Sequence, residues 1–433
     1  MIRATSKGFR LHIGFFGRRN VGKSSLLNAI TQQKVSIVSE VAGTTTDPVE
    51  KPMELLPIGP VLFVDTAGVD DVGALGEQRI EKTRQVITRS DIGVLVTESG
   101  LWTAFEEGLL AELRGRGIPV LVALNKADLQ RPDLELMIRL EQEGIPYVKL
   151  IATTGEGVDT FRAKLREVAP DESSQPPAIL SDLVQPGETA VLVMPIDKEA
   201  PKGRIKNLQT QCIRELLDVD ACSIVVKDAG LEQVLDNLKT PPSIVVTDAQ
   251  VFEQVARTTP ESIPLTAFSI LLSRLKGDLV AQTKAAVTVD SLRPGDKVLV
   301  AESCTHHPVE EDIGRVKIPR WLRQYVGGEL EFTTVKGRDF PQDLSPYKLV
   351  IHCGACMVNR QEMMSRIGEC HDQGVPITNY GLVIAYALGI LERALEPFPE
   401  ALAAYKEARQ EQLEQVGISN TADLDECKLN LVN

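Results

Sequence analysis

The sequence predicts an α/β protein of about three domains, the first of them a doubly wound parallel sheet. Three observations predict it. The chain has 433 residues, which at roughly 150 residues per domain gives about three cores. Short runs of β-branched and apolar residues alternate with helix-like stretches from Leu11 to about Glu167 and again after Thr266, as strands covered by helices on both faces do. Between Ala169 and Ala178 the alternation is broken by Asp-Glu-Ser-Ser-Gln-Pro-Pro, which continues neither a helix nor a central strand.

In the first part, residues 1–170, strands are expected from Leu11 to Phe16, Val61 to Val64, Ile92 to Val96, Val120 to Leu124 and Tyr147 to Ile151. A small middle domain is expected over 178–264. There Ser223-Ile-Val-Val-Lys-Asp228-Ala229 is echoed by Ser243-Ile-Val-Val-Thr-Asp248-Ala249, which implies two βα units side by side, with Thr189 to Ile196 as a further strand. It holds no acid-base, metal or phosphate constellation and reads as a self-association module. A third α/β domain, 265–417, has strands expected from Lys297 to Ala301, Leu330 to Val335, Leu349 to Ile351 and Val375 to Thr378. From Phe398 a polar helix leads to an acidic tail, 418–433, that contains Cys427 and is expected to fray.

With 47 Lys+Arg against 60 Asp+Glu the net charge is −13, a field that opposes binding to nucleic acid or to an anionic membrane. The longest apolar run, Leu382 to Leu391, is half of the roughly 20 residues that span a bilayer. Neither a transmembrane helix nor a signal peptide is expected. Seven unevenly spaced cysteines make no disulfide framework and suit a reducing cytoplasm. Cys212 and Cys222 are expected to be packed thiols.

Gly17-Arg-Arg-Asn-Val-Gly22-Lys23-Ser24 matches G-x-x-x-x-G-K-S and falls between an expected strand and the helix from Ser25 to Thr31. Its glycines let backbone N–H groups wrap phosphates at a helix N-terminus, Lys23 reaches the β/γ oxygens, and the Ser24 hydroxyl is placed for magnesium. The cradle runs through Gly17, Asn20, Val21, Gly22, Lys23, Ser24 and Ser25. In Asp65-Thr-Ala-Gly68 the aspartate at a strand end can hold the magnesium hydration shell, and Gly68 admits the backbone to the γ-phosphate. Asn125-Lys126-Ala127-Asp128 ends another strand, and a carboxylate there can accept two hydrogen bonds from guanine. Adenine lacks that pattern. Together these motifs resemble the translation-factor-type GTPases, especially the tRNA-modification and Era-like subgroup. The resemblance implies a switch I at Gly43-Thr44-Thr45-Thr46-Asp47, with Thr45 or Thr46 closing on magnesium, and a guanine-support loop at Ala152-Thr153-Thr154 in place of the usual Ser-Ala. Val69 stands after Gly68 where Ras-like proteins have a water-orienting glutamine. In the similar tRNA-modification GTPase the P-loop asparagine, here Asn20, helps bind a potassium ion that does the work of an arginine finger.

Four of the five histidines and four of the seven cysteines fall between Cys304 and His371. The core is Cys304-Thr-His306 and His352-Cys353-Gly-Ala-Cys356, both expected at the carboxyl ends of parallel strands, where ligand sites form. Three readings are open. A Cys3His set suits structural zinc, unmetallated thiols suit a core, and three thiolates suit a 4Fe-4S cluster with one iron left for histidine, carboxylate, water or an exogenous ligand. Cys370-His371 could supply a fourth ligand but reads as an ordinary helical surface pair.

A GTPase domain, an inert middle domain and a Cys-x-His plus His-Cys-x-x-Cys domain, in that order, resemble the HydF family, the GTPase maturases of iron-iron hydrogenases, over nearly the whole chain. The resemblance implies a scaffold or carrier. Cys304, Cys353 and Cys356, with His306 or His352, would hold a 4Fe-4S cluster, and a binuclear iron precursor would be held beside it and delivered to the apo-hydrogenase. The radical-SAM maturases HydE and HydG would be partners, and the middle domain would form a homodimer. GTP hydrolysis, with Mg2+ and K+, would regulate assembly. The alternative is an RNA-modification or ribosome-assembly GTPase with a zinc module, against which stand the charge and the lack of a basic, aromatic-interleaved segment.

Overall fold

The computed structural model describes residues 7–32, 48–56, 58–66, 74–170, 177–196, 205–303, 312–337 and 339–416. The chain divides into two compact units, Met1–Pro177 and Ala178–Asn433. The division falls at the expected linker.

The first unit is built on six strands: β1 Leu11–Phe16, β2 Val49–Leu55, β3 Gly59–Asp65, β4 Ile92–Glu98, β5 Val120–Asn125 and β6 Tyr147–Lys149. Their order is β2-β3-β1-β4-β5-β6. All neighbours are parallel except β2, which runs antiparallel to β3. The five expected strands are present. β2 is an addition: its sequence Val-Glu-Lys-Pro-Met-Glu-Leu is charged and carries Pro52, tolerable only because an edge strand has one side without ladder bonds. Apolar side chains on the two faces of the sheet make two cores. One gathers Ile13, Phe15, Leu26, Leu27, Phe161 and Leu165, joining helices Lys23–Thr31 and Val158–Val168 to the sheet. The other gathers Phe16, Leu62, Val64, Leu110, Leu113 and Leu140 under helices Ala104–Gly115 and Leu134–Gln142. Each such fully buried side chain stabilises the fold by roughly 1.5 to 3 kcal/mol.

The second unit contains two four-stranded parallel sheets. The first consists of β7 Thr189–Val193, β8 Cys222–Val226, β9 Ile244–Thr247 and β10 Leu265–Ala267, in the order β10-β9-β7-β8. The echoed segments are indeed strands, β8 and β9, but β7 lies between them, so the two βα units are not side by side. β10 completes this sheet just past the expected boundary at residue 264. Cys212 is buried, as expected, whereas Cys222 is exposed, because it opens edge strand β8. The other sheet consists of β11 Lys297–Glu302, β12 Glu331–Lys336, β13 Leu349–His352 and β14 Ile377–Asn379, in the order β12-β11-β13-β14. Helix Arg360–Asp372 follows β13, and the polar helix expected from Phe398 is Pro399–Val416. Among the described residues no helix is long and apolar enough to cross a membrane.

Candidate functional site

The nucleotide motifs lie at the carboxyl ends of the first sheet's parallel strands. β1 delivers the loop 17–22 and helix Lys23–Thr31 begins at its end. Gly17 (φ 140°) and Gly22 (φ 98°) have backbones that L side chains rarely adopt. A Cβ on Gly22 would lie 2.1 Å from Asn125 Nδ2, and one on Gly17 would lie 2.1 Å from Val96 O. The Lys23 ammonium is folded back into the loop, donating to Gly17 O at 2.8 Å and Arg18 O at 2.6 Å. It thus sits over the hollow where phosphate oxygens can replace those carbonyls as its partners. Asn20 is exposed at the crest of the loop, with φ 58°. Val21 is buried, and Ser25 lies half-buried in the first helical turn.

Ser24 Oγ donates to Asp65 Oδ2 at 2.5 Å. The two groups expected to serve magnesium therefore meet, and a hydroxyl beside a buried carboxylate is the oxygen chemistry that this ion takes. Asn125 is buried and acts as a strut: its Nδ2 donates to Val21 O at 2.7 Å and its Oδ1 accepts from Ala152 N at 3.0 Å. One side chain thereby ties the phosphate loop to the base-side loop. Lys126 (φ 57°) pairs with Glu98, while Asp128 and Thr153 are exposed. Thr45, Thr46, Gly68 and Val69 lie outside the described residues.

Three partners of this loop were not legible in the sequence. Arg18 Nε donates to Glu106 Oε1 at 2.7 Å and Arg18 Nη2 to Thr103 Oγ1 at 2.6 Å, with the guanidinium 4.6 Å from the Phe105 ring centre. Burial alone would raise the Glu106 carboxyl, but its hydrogen bonds with Arg18 and Thr103 outweigh that and hold it below the usual glutamate value.

The cysteine motif sits at the carboxyl edge of the sheet β12-β11-β13-β14. Ala301 on β11 is in register with His352 on β13, and Cys353 N donates to Ala301 O at 2.9 Å. Ser303 N in turn donates to Cys353 Sγ at 3.1 Å. Ser303 is the last described residue before the expected ligand Cys304. Cys304 and His306 lie outside the described residues. Cys353 is half-buried and Cys356 exposed. Among the described residues no group of three or more Cys, His, Asp or Glu side chains converges as a metal cage. The donors present nonetheless fit an iron-sulfur cluster: two soft thiols on one loop, an N–H directed at sulfur, and an open side.

His352 differs from the expectation. It is fully buried, its Nε2 lies 2.9 Å from Arg366 Nη1 and its Nδ1 lies 2.8 Å from Cys353 O. A guanidinium only donates, so Nε2 is the acceptor and Nδ1 carries the proton to the carbonyl. Neither nitrogen has a lone pair left for iron, and burial followed by the Arg366 charge pushes the imidazole down to about 3. The expected ligand role of His352 is thus corrected to that of a brace behind Cys353. Arg366 also donates to Glu362 Oε1 at 2.7 Å and Gly337 O at 3.0 Å. Cys370 is buried in the core beneath helix Arg360–Asp372, where burial pushes its thiol up to about 12, and His371 is exposed. Neither joins the motif. Lys276, unremarked in the sequence, is buried against the cysteine loop and pushed down to about 7 by desolvation, against the pull of Cys356 and Cys353.

Comparison with known proteins divides the chain in the same way. The family model described as "50S ribosome-binding GTPase" matches residues 12–126, so the first unit carries a GTPase domain. In that region the chain is 37% identical over 165 residues to the tRNA modification GTPase MnmE of Chromobacterium violaceum, covering 36% of this chain and 34% of that protein. It is 33% identical over 185 residues to the GTPase Der of Wolinella succinogenes, covering 40% and 39%. The matches thus span little more than a third of those relatives. The crystal structure of Aquifex aeolicus Era bound to GDP.AlF4- is similar at a TM-score of 0.34 and 20% identity, over 50% of this chain and 92% of that one. In the second unit the "Hydrogen maturase F dimerization domain" matches residues 179–277, and the "Hydrogen maturase F tetramerization domain" matches residues 280–397, the stretch that holds Cys304, Cys353 and Cys356. With a GTPase domain followed by both of these domains, which together take in half of the sequence, the chain belongs to the hydrogen maturase F family.

Proposed function

We propose that the chain is a GTP-binding and GTP-hydrolysing scaffold that binds a 4Fe-4S cluster and assembles or delivers the binuclear iron precursor of the iron-iron hydrogenase active site to the apo-hydrogenase. One observation carries the reading. Cys353-Gly-Ala-Cys356 stands at the carboxyl edge of a parallel sheet, within a maturase family match, with Ser303, the neighbour of Cys304, bonded to the Cys353 sulfur. In this reading residues 1–170 bind GTP and magnesium, 178–264 mediate homodimerisation, and 265–417 hold the cluster. Ser24 and Asp65 serve the magnesium, Asp128 reads guanine, and Asn20 serves a potassium ion. Cys304, Cys353 and Cys356 are the thiolates, and His306 is the candidate for the remaining iron, since both His352 nitrogens are engaged. The cluster supplies an iron with a replaceable ligand, as a carrier requires. The radical-SAM maturases HydE and HydG are the proposed partners, in a reducing cytoplasm.

Anaerobic reconstitution with iron and sulfide tests it. The wild-type chain is expected to turn brown and to give an iron-sulfur EPR signal on reduction. Cys304→Ser, Cys353→Ser and Cys356→Ser should each lose most bound iron and the ability to mature apo-hydrogenase. A colourless protein with tightly bound zinc, or three cysteine variants that still mature hydrogenase, would overturn the carrier reading.

A further inference from the structure

The loop that carries Cys353 and Cys356 is fastened to the end of helix Phe268–Lys276 by two cations that reach across one seam in opposite directions. Lys276 Nζ donates to Ala355 O at 3.0 Å and to Val358 O at 2.9 Å, the carbonyls on either side of Cys356 and Met357. Arg360, the first residue of the next helix, reaches back and donates to Gly277 O at 2.9 Å and Leu275 O at 3.3 Å. Ala355 is held at φ 53°, a conformation that a residue with a Cβ adopts only when its surroundings fix it. The clasp also sits at a junction: one maturase domain ends at residue 277 and the other begins at 280.

A lysine that is only 3% exposed is a costly anchor, because burial strips an ammonium of its water. A leucine would fill such a space more cheaply. The charge makes sense if what the loop carries is anionic, as thiolates are.

We infer that Lys276 is a positioning residue for the cysteine loop, setting the separation and direction of the Cys353 and Cys356 thiols through the two carbonyls and presenting a buried cation to the anionic group they bind. The inference rests on the reading of these cysteines as cluster ligands. Lys276→Met removes bonds and charge, Lys276→Gln keeps a donor without the charge, Lys276→Arg keeps the charge, and Arg360→Gln breaks the return half of the clasp.

The full-length variants are compared in two states, after circular dichroism and thermal unfolding have identified those that fold. In cluster-free, reduced protein, the iodoacetamide labelling rates of Cys353 and Cys356 are measured by mass spectrometry relative to exposed Cys222. The ratio should change at least about fivefold in Lys276→Met, which loses both bonds to the loop when one ordinary hydrogen bond already amounts to that factor, less in Arg360→Gln, and little in Lys276→Arg. In reconstituted protein, Lys276→Met and Lys276→Gln should shift the EPR-monitored midpoint to more negative potential and release iron to a chelator faster. Should Lys276→Met not fold, Lys276→Gln and Arg360→Gln carry the test. Unchanged labelling ratios in folded variants would overturn the inference. A wild-type chain that takes up no iron, together with altered labelling in the variants, would overturn the cluster reading and uphold the clasp.

Discussion

Glu106 is a carboxylate with almost no exposed surface, and it anchors Arg18 of the phosphate loop. It also closes a capping box with Thr103 at the start of helix Ala104–Gly115. Changing it to glutamine keeps the shape and removes the charge. Glu106→Gln should therefore destabilise the first unit by roughly 1.5 to 3 kcal/mol, the worth of a hydrogen bond to a charged group, read as a lower midpoint in the urea transition that GDP shifts. The pH dependence has a definite sign. Because the folded-state value lies below 4.5, the carboxylate's contribution is fully present above the unfolded glutamate value and is lost as pH falls through the folded one. Wild type and variant should differ most near neutrality and converge only as the pH falls below the usual glutamate range. A gap that widens in acid would show that Glu106 is not held ionised. No motif announces this pair, since its members lie 88 residues apart and only the fold brings them together.

At the scale of the element, the phosphate loop is a strand-to-helix turn whose crest, Asn20, is exposed and left-handed. Potassium is therefore expected to stimulate hydrolysis severalfold over sodium at constant magnesium, by offsetting charge that develops on the phosphates, and Asn20→Ala should abolish the difference. Equal rates in the two salts would leave activation to a partner. Elements of this kind were legible because their chemistry is local: the loop, Asp65 and Asn125 to Asp128 each end a continuous apolar run, and each run is a central strand. β2 was not legible, because an edge strand with Pro52 and alternating charge lacks the apolar run that marks buried strands. Three-residue β10 was too short to show a period. The echo in the middle domain identified two strands, but spatial order depends on how crossovers pack, and β7 came between them. His352 was misjudged for a related reason. Residue type and spacing suggest a ligand, whereas its role is set by Arg366, which arrives from the following helix.

At the scale of the molecule, each unit carries its own sheets. Ser303, Lys276, Arg360 and Arg366, which hydrogen-bond around the cysteine loop, belong to Ala178–Asn433. The strut that joins the phosphate loop to the base-side loop belongs wholly to Met1–Pro177. The hydrogen bonds described at the two sites share no residue, and substitutions that share no partners have separable effects. Lys23→Ala removes the ammonium proposed to exchange its two carbonyl bonds for bonds to phosphate oxygens, and should slow GTP hydrolysis by about two orders of magnitude or more. Iron uptake on reconstitution should stay at the wild-type level. Cys353→Ser should do the reverse, losing iron while its hydrolysis rate stays within about twofold, the scatter expected of unconnected sites. Both arms are read on the same preparations, by phosphate release and by iron analysis. If Lys23→Ala folds but takes up no iron, nucleotide binding gates the cluster site, and the independence argued from the two separate hydrogen-bond networks fails. If both arms hold, any influence of GTP on maturation has to act on a later event, such as exchange of a partner or release of the cargo, and hydrolysis rates measured with and without apo-hydrogenase would then locate that event.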